Sequence, residues 1–179
     1  MPNVQNMIRL ALILRAGVLV VLCCLPLVLA AKFLLAESLG AEIRQEFHWL
    51  SHLPQSLAGW QVAAYCGTVV LAFAIFAIPL WHLYRLLSRY SEGAFINAET
   101  AGILRQIGLG LLLVAAYSFL SHTMQVLILT AENAPGQRSL SISIDQSMVG
   151  LLLAGGAVVL VGWIMGQAAE IADENRSFV

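Results

Sequence analysis

Charge is scarce in this chain. Asp, Glu, Lys and Arg make up 11% of its 179 residues, against about 25% in a soluble domain. The net charge is −1, so no basic field covers the molecule and direct nucleic-acid binding is not expected. Cysteine is rarer still. Cys23, Cys24 and Cys66 show no Cys-x-x-Cys spacing and read as small apolar packing groups. Leu22, before Cys23, is too large for a lipoprotein cleavage site. A phosphate-cradling glycine loop and a nucleophile elbow are both missing. Ser121 and His122 are neighbours, but adjacent side chains on a helix diverge by about 100° and cannot form a catalytic pair. The chain is therefore expected to be no enzyme and to carry no cofactor and no metal.

What the chain does have is apolar length. Hydrophobic residues make up 60%, mean hydropathy is +0.85, and the excess lies in runs long enough to cross a bilayer. Four spans are predicted, at about 8–35, 62–81, 107–130 and 148–166. One membrane domain uses the whole of 1–179, leaving nothing large enough to fold separately in water. The first run has the basic start of a signal peptide, with Val28 and Ala30 as a tolerable cleavage site. It continues past that site to Leu35 and reads as a retained anchor, kinked at Pro26.

Between the first two spans, Leu35, Leu39, Ile43, Phe47 and Leu50 recur at helical spacing. That predicts an amphipathic helix at the interface, ended by Pro54, with Trp49 and Trp60 in the headgroup belt. Trp81 and Tyr84 mark the opposite belt, and Asn-Ala-Pro-Gly at 133–136 signals a turn in the second outer loop. Arg9, Arg15, Arg85, Arg89, Arg105 and Arg176 fall on one side, and Lys32, Arg44 and Arg138 on the other. The positive-inside rule then sets both termini and the connector, 82–106, in the cytoplasm.

That connector has readable punctuation. Gly93 suits a left-handed turn closing the basic extension of the second span. Asn97 is an N-cap candidate with Glu99 and Thr100 in the first turn, so a helix should start near Ala98 and run into the third span. Arg105 can snorkel to the headgroups. The tail, 167–179, carries Glu170, Asp173 and Glu174 at a helix C-terminus, where acid opposes the dipole. Pairs between Arg105 or Arg15 and Glu170 or Glu174 would answer that mismatch.

Gly93-x-Phe95-x-Asn97, then Leu104-Arg105-x-Ile107-Gly108, then Glu170-Ile171-x-x-Glu174-Asn175-x-x-x-Val179 resembles the "domain of unknown function 2975" family of small bacterial inner-membrane proteins. The resemblance covers nearly the whole chain, apart from the long outer loop and Ala168, where many members have glycine. It implies four spans and no enzyme activity. Some members are similar to proteins encoded beside a small helix-turn-helix regulator, which implies a membrane protein that holds or senses for such a partner.

Three further patterns need weighing. Ser118, Ser121, His122 and Gln125 form one polar stripe in the outer half of the third span, expected to face the interior and make interhelical hydrogen bonds. A ligand, ion or proton site around His122 is the alternative, although no acidic residue within a span completes a relay. Gly155, Gly162 and Gly166 allow close packing of the fourth span, within the chain or in a homodimer. His48 and His52 have i, i+4 spacing but no evident third ligand.

The expectation is an all-α integral membrane bundle of four transmembrane helices, with an interfacial amphipathic helix in the first outer loop. Its surroundings are the lipid bilayer of a bacterial inner membrane, crossed several times. Its expected role is that of a regulatory or sensory partner presenting Gly93, Phe95, Asn97, Arg105, Glu170, Glu174 and Asn175 to a cytoplasmic regulator protein. A transporter or channel component built on the His122 stripe is the alternative.

Overall fold

A computed structural model describes residues 4–35, 39–50, 53–54, 56–93, 97–134 and 136–177. The described residues form five helices: α1 (Val4–Leu35), α2 (Leu39–Glu46), α3 (Gly59–Ser91), α4 (Ala98–Thr130) and α5 (Gln146–Ser177). α1, α3, α4 and α5 are each long and apolar enough to cross a membrane. The four expected spans lie within them, and each helix outruns its span. α3 and α4 are 33 residues each, about 50 Å at 1.5 Å per residue, against about 30 Å of hydrocarbon. Trp60 and Trp81 on α3, both about half exposed, are separated by about 31 Å of helical rise. That separation matches one hydrocarbon thickness, as expected of a tryptophan pair at the two interfaces.

α1 passes through Pro26 without interruption. It rests on α3 and turns most of its apolar surface outward, with Ile13 68% and Leu27 67% exposed. Side chains so exposed on every outer face suit contact with lipid tails, and the chain is a multi-pass membrane protein. Arg15 ties α1 to the connector end of α3. One guanidinium nitrogen donates to the Tyr84 hydroxyl at 3.0 Å and the group lies 5.0 Å over the ring. Arg15 thus turns to an aromatic partner on α3, not to the acidic tail.

α3 and α4 pack through small or exactingly placed groups. Gly110 lets α4 approach Pro79, where an added Cβ would stand 3.0 Å from the ring. Gln61, fully buried, donates to the carbonyls of Ile128 and Leu129, and its side-chain oxygen accepts from the amide of Ala58. At the end opposite the connector, Ile43 on α2 and Phe47 and Leu50 in the turn just after it pack against Tyr65, Val126 and Leu129. An amphipathic helix is present but shorter than expected, ending at Glu46 and not at Pro54; with the turn that follows, it puts its apolar side onto the protein as a cap, here called the α2 cap. The Tyr65 hydroxyl, donating to Glu46 at 2.7 Å, fastens that cap to α3.

The closest approach is between α4 and α5. A Cβ on Gly108 would stand 2.6 to 2.7 Å from the Val159 side chain and backbone and the Gly155 carbonyl. One on Gly155 would stand 3.0 Å from the Gly108 carbonyl and 3.1 Å from Leu112. Gly162 faces the backbone of Arg105 at 2.9 Å, and Gly166 faces Ala101. Residues 101, 105, 108 and 112 thus meet 166, 162, 159 and 155 in order, stepping by 4, 3 and 4 in opposite directions. This is an antiparallel seam of small residues. Of the two readings of the fourth-span glycines, the described chain realises the intramolecular one: this face is filled by α4.

α5 starts at Asp145, whose carboxylate accepts from the Ser147 hydroxyl at 2.6 Å and the Met148 amide at 2.7 Å. Those bonds hold its carboxyl below the ordinary carboxylate range. A lowered carboxyl stabilises the folded state above its ordinary value and loses that contribution as pH falls through the lowered one. Amide exchange at Met148, corrected for its intrinsic rate, should therefore rise on acidification, and Asp145→Ala should remove that step. For the seam, Gly108→Ala should destabilise the detergent-solubilised protein by about 1–3 kcal/mol through overpacking. Gly156→Ala, with nothing within 4 Å of its Cβ, should leave unfolding unchanged.

Candidate functional site at the connector end

α3 ends and α4 begins within a few residues, and the local chemistry explains how. Gly93 has φ of +84°, a left-handed value that other residues adopt at a cost. The Asn97 side chain accepts from the Thr100 amide at 2.7 Å, while the Thr100 hydroxyl reaches the Asn97 backbone, a reciprocal cap on α4. Arg89, in the last turn of α3, bonds Glu99 at 2.7 Å and Glu92 at 3.4 Å. One cation thus joins the end of one helix to the first turn of the next. The sequence reading missed this clasp. Its signal was available, since Glu99 offers a carboxylate where the helix N-terminus favours one.

Beyond the clasp, Leu86, Ile103 and Ile107 form a small apolar cluster with Leu83 and Tyr90 packed against it. The outer side of α4 is different. Where α5 runs past it, Ala101, Gly102, Gly162 and Gly166 have too little side chain to fill the space, leaving a cavity of ≈ 330 Å³. Arg105, Trp163, Gln167 and Glu170 complete its walls. Three expected site features, Arg105, Glu170 and the glycine pair of the fourth span, therefore meet in one place. Of the expected ion pairs, the one between Arg105 and Glu170 does not form: among the described residues these two share the groove without a bond between them.

The physical reason lies in the register. Arg105 stands level with Gly162, whereas Glu170 lies eight residues further along α5, about 12 Å of rise. Each side chain leans toward the N-terminus of its own helix, and on antiparallel helices that brings these two toward each other. The groove is the space that remains between them. The Glu174 side chain is exposed on α5. Phe95 lies outside the described residues, as does the side chain of Asn175.

The polar stripe of α4 divides: Gln125 and His122 meet other parts of the chain, whereas the exposed Ser118 and its neighbour Ser121 bond only within α4, so the stripe does not face the bundle interior along its whole length as expected. The hydroxyls of Ser118 and Ser121 return to Val114 and Ser118 carbonyls. Gln125 donates to the Thr68 hydroxyl at 3.1 Å, with Tyr117 donating to the Thr68 carbonyl beside it at 2.7 Å. His122 stacks on Trp49 at 5.9 Å and Phe47 at 6.3 Å, under the α2 cap. His48 bonds only locally, to the Gln45 carbonyl at 3.0 Å, and His52 lies outside the described residues. Among the described residues, no three His, Cys, Asp or Glu side chains gather to hold a metal.

Two substitutions separate cap from clasp. Asn97→Ala should lower stability by about 0.5–2 kcal/mol, the usual loss for a capping side chain. Arg89→Ala should cost less and its effect should fade with added salt, because both partners are half exposed. Chemical unfolding in two salt concentrations measures the difference.

Comparison with known proteins adds one match. No curated protein and no solved structure matches the chain. A family model described as "Protein of unknown function (DUF2975)" matches residues 40–177. The match takes in the α2 cap, which the motif resemblance had set aside, and leaves α1 outside. It also includes the capped connector, the glycine seam and most of the tail. By the extent of that match, the chain belongs to the DUF2975 family of proteins of unknown function.

Proposed function

We propose that this protein is a non-enzymatic regulatory or sensory partner in a bacterial cytoplasmic membrane, with both termini and the connector in the cytoplasm. The observation that carries this reading is the end of α5. The helix continues from Trp163 to Ser177, about 21 Å beyond the interface. There it exposes Ile171, 59% accessible, on one face with Gln167 and Glu174 at i−4 and i+3. An apolar side chain flanked by acid, outside the hydrocarbon, is the kind of anchor a partner protein covers. The neighbouring connector is held in one shape by the Asn97 cap and the Arg89 clasp, which lowers the ordering cost of docking. A transcriptional regulator of the kind implied by the family resemblance is the partner this reading favours.

A photo-crosslinking residue at position 171, in cells, tests the proposal. It should capture a soluble protein that the same residue at lipid-facing position 153 does not. Glu174→Lys should abolish the adduct, and His122→Ala should leave it intact. No protein adduct at 171 would sink the reading, and the opposite response of the two variants would shift weight to transport through the His122 stripe.

A further inference from the structure

The groove beside Arg105 sits at a definite depth. Trp81 on α3 is level with Gly108 on α4, given the pairing of Pro79 with Gly110. Arg105 is three residues beyond that level, about 4–5 Å outside the hydrocarbon boundary. Headgroups extend about 5–7 Å beyond each side of the hydrocarbon, so Arg105 lies in the headgroup layer. Trp163, 57% exposed on α5, stands at a similar depth and suits an interfacial belt. Glu170 lies further out and lines the same groove, on a helix whose Cα–Cβ bonds tilt back toward the membrane.

The groove thus offers, in order of depth, a guanidinium, an indole face, an amide and a carboxylate. Arg105 and Glu170 have no ion pair or hydrogen bond among the described residues. A ligand that answers both carries a negative group nearer the hydrocarbon and a positive one further out. Glu170 and the Gln167 side-chain oxygen are acceptors, so the positive group should bring N–H donors. A quaternary ammonium has none, and one tryptophan is not the aromatic cage that binds such groups. The cavity of ≈ 330 Å³ falls in the range of about 300–1,000 Å³ for small-ligand sites.

We propose that this groove binds the headgroup of a phospholipid carrying a primary ammonium, its phosphate on Arg105 and its ammonium on Glu170 and Gln167, with the acyl chains lying in the bilayer. The site makes the connector end responsive to lipid composition. This goes beyond the regulatory reading and needs no soluble partner.

Native mass spectrometry of the purified full-length protein tests it, with phosphatidylethanolamine, phosphatidylglycerol and phosphatidylcholine of identical acyl chains as probes. Phosphatidylethanolamine should be retained about tenfold better than the other two, the scale of one charge-assisted hydrogen bond. Glu170→Gln should remove that preference, and Arg105→Gln should weaken retention of all three. Equal retention of the three lipids, or a preference that survives Glu170→Gln, overturns the proposal. Displacement of the lipid by free phosphoethanolamine at equal concentration would also overturn it, reassigning the groove to a soluble zwitterion. Should Arg105→Gln fail to fold, the exposed Glu170 substitution decides alone. Because only purified protein and lipid are present, failure here leaves the crosslinking result at position 171 untouched.

Discussion

The approach of α4 to α5 is the constraint on which the rest depends. In lipid no hydrophobic gain drives one apolar helix onto another, so association rests on close van der Waals fit. Gly108, Gly155 and Gly162 supply that fit by leaving out the Cβ that would collide with the neighbouring backbone and with Val159 and Leu112. The antiparallel register then follows, because each glycine has to meet the backbone or a larger side chain of the other helix: Gly108 takes Val159, Gly155 takes Leu112 and Gly162 takes the backbone of Arg105. From the register come the depth of Arg105, the height of Glu170 and the gap between them. The groove is a by-product of a seam so tight that, where it runs on past the hydrocarbon, small residues leave space that larger ones would fill.

α3 is joined to this pair by a different chemistry. Gln61 puts a buried amide on two carbonyls of α4, and Thr68 collects Gln125 and Tyr117. Each of these polar groups would be costly facing lipid and is satisfied between helices. The His122 region serves the same end from outside, stacking under aromatic residues of the α2 cap. The two ends of the molecule therefore differ in kind. The end opposite the connector is closed by apolar and aromatic burial, while the connector end leaves charged side chains open.

Much of this was legible in the residues. Apolar length gave the four spans, and Gly93 with Asn97 gave the turn and the start of α4, because both act through their own backbones and immediate neighbours. The glycine spacing of α5 showed that close packing was available but could not say with what. That choice depends on where Gly108 falls opposite it, a relation between distant parts of the chain. Arg15 was assigned an acidic partner because charge is easy to count along a sequence, whereas the tyrosine it meets is found only through the antiparallel placement of α1 on α3. Likewise the apolar stripe of 39–50 is equally suited to lipid and to protein, and only the presence of Val126 and Leu129 at the end opposite the connector decides for protein.

The α2 cap also bears on biogenesis. Its residues are synthesised before α3, yet two of the three buried residues of its seat, Val126 and Leu129, belong to the far end of α4. Until α3 and α4 have both crossed the bilayer, that seat does not exist, and Phe47 and Ile43 have only lipid headgroups and water beside them. The first loop must therefore wait, unsettled, for a helix made some eighty residues later. Closure of the cap is a late event in assembly, and it reports that the α3–α4 hairpin has been threaded in full.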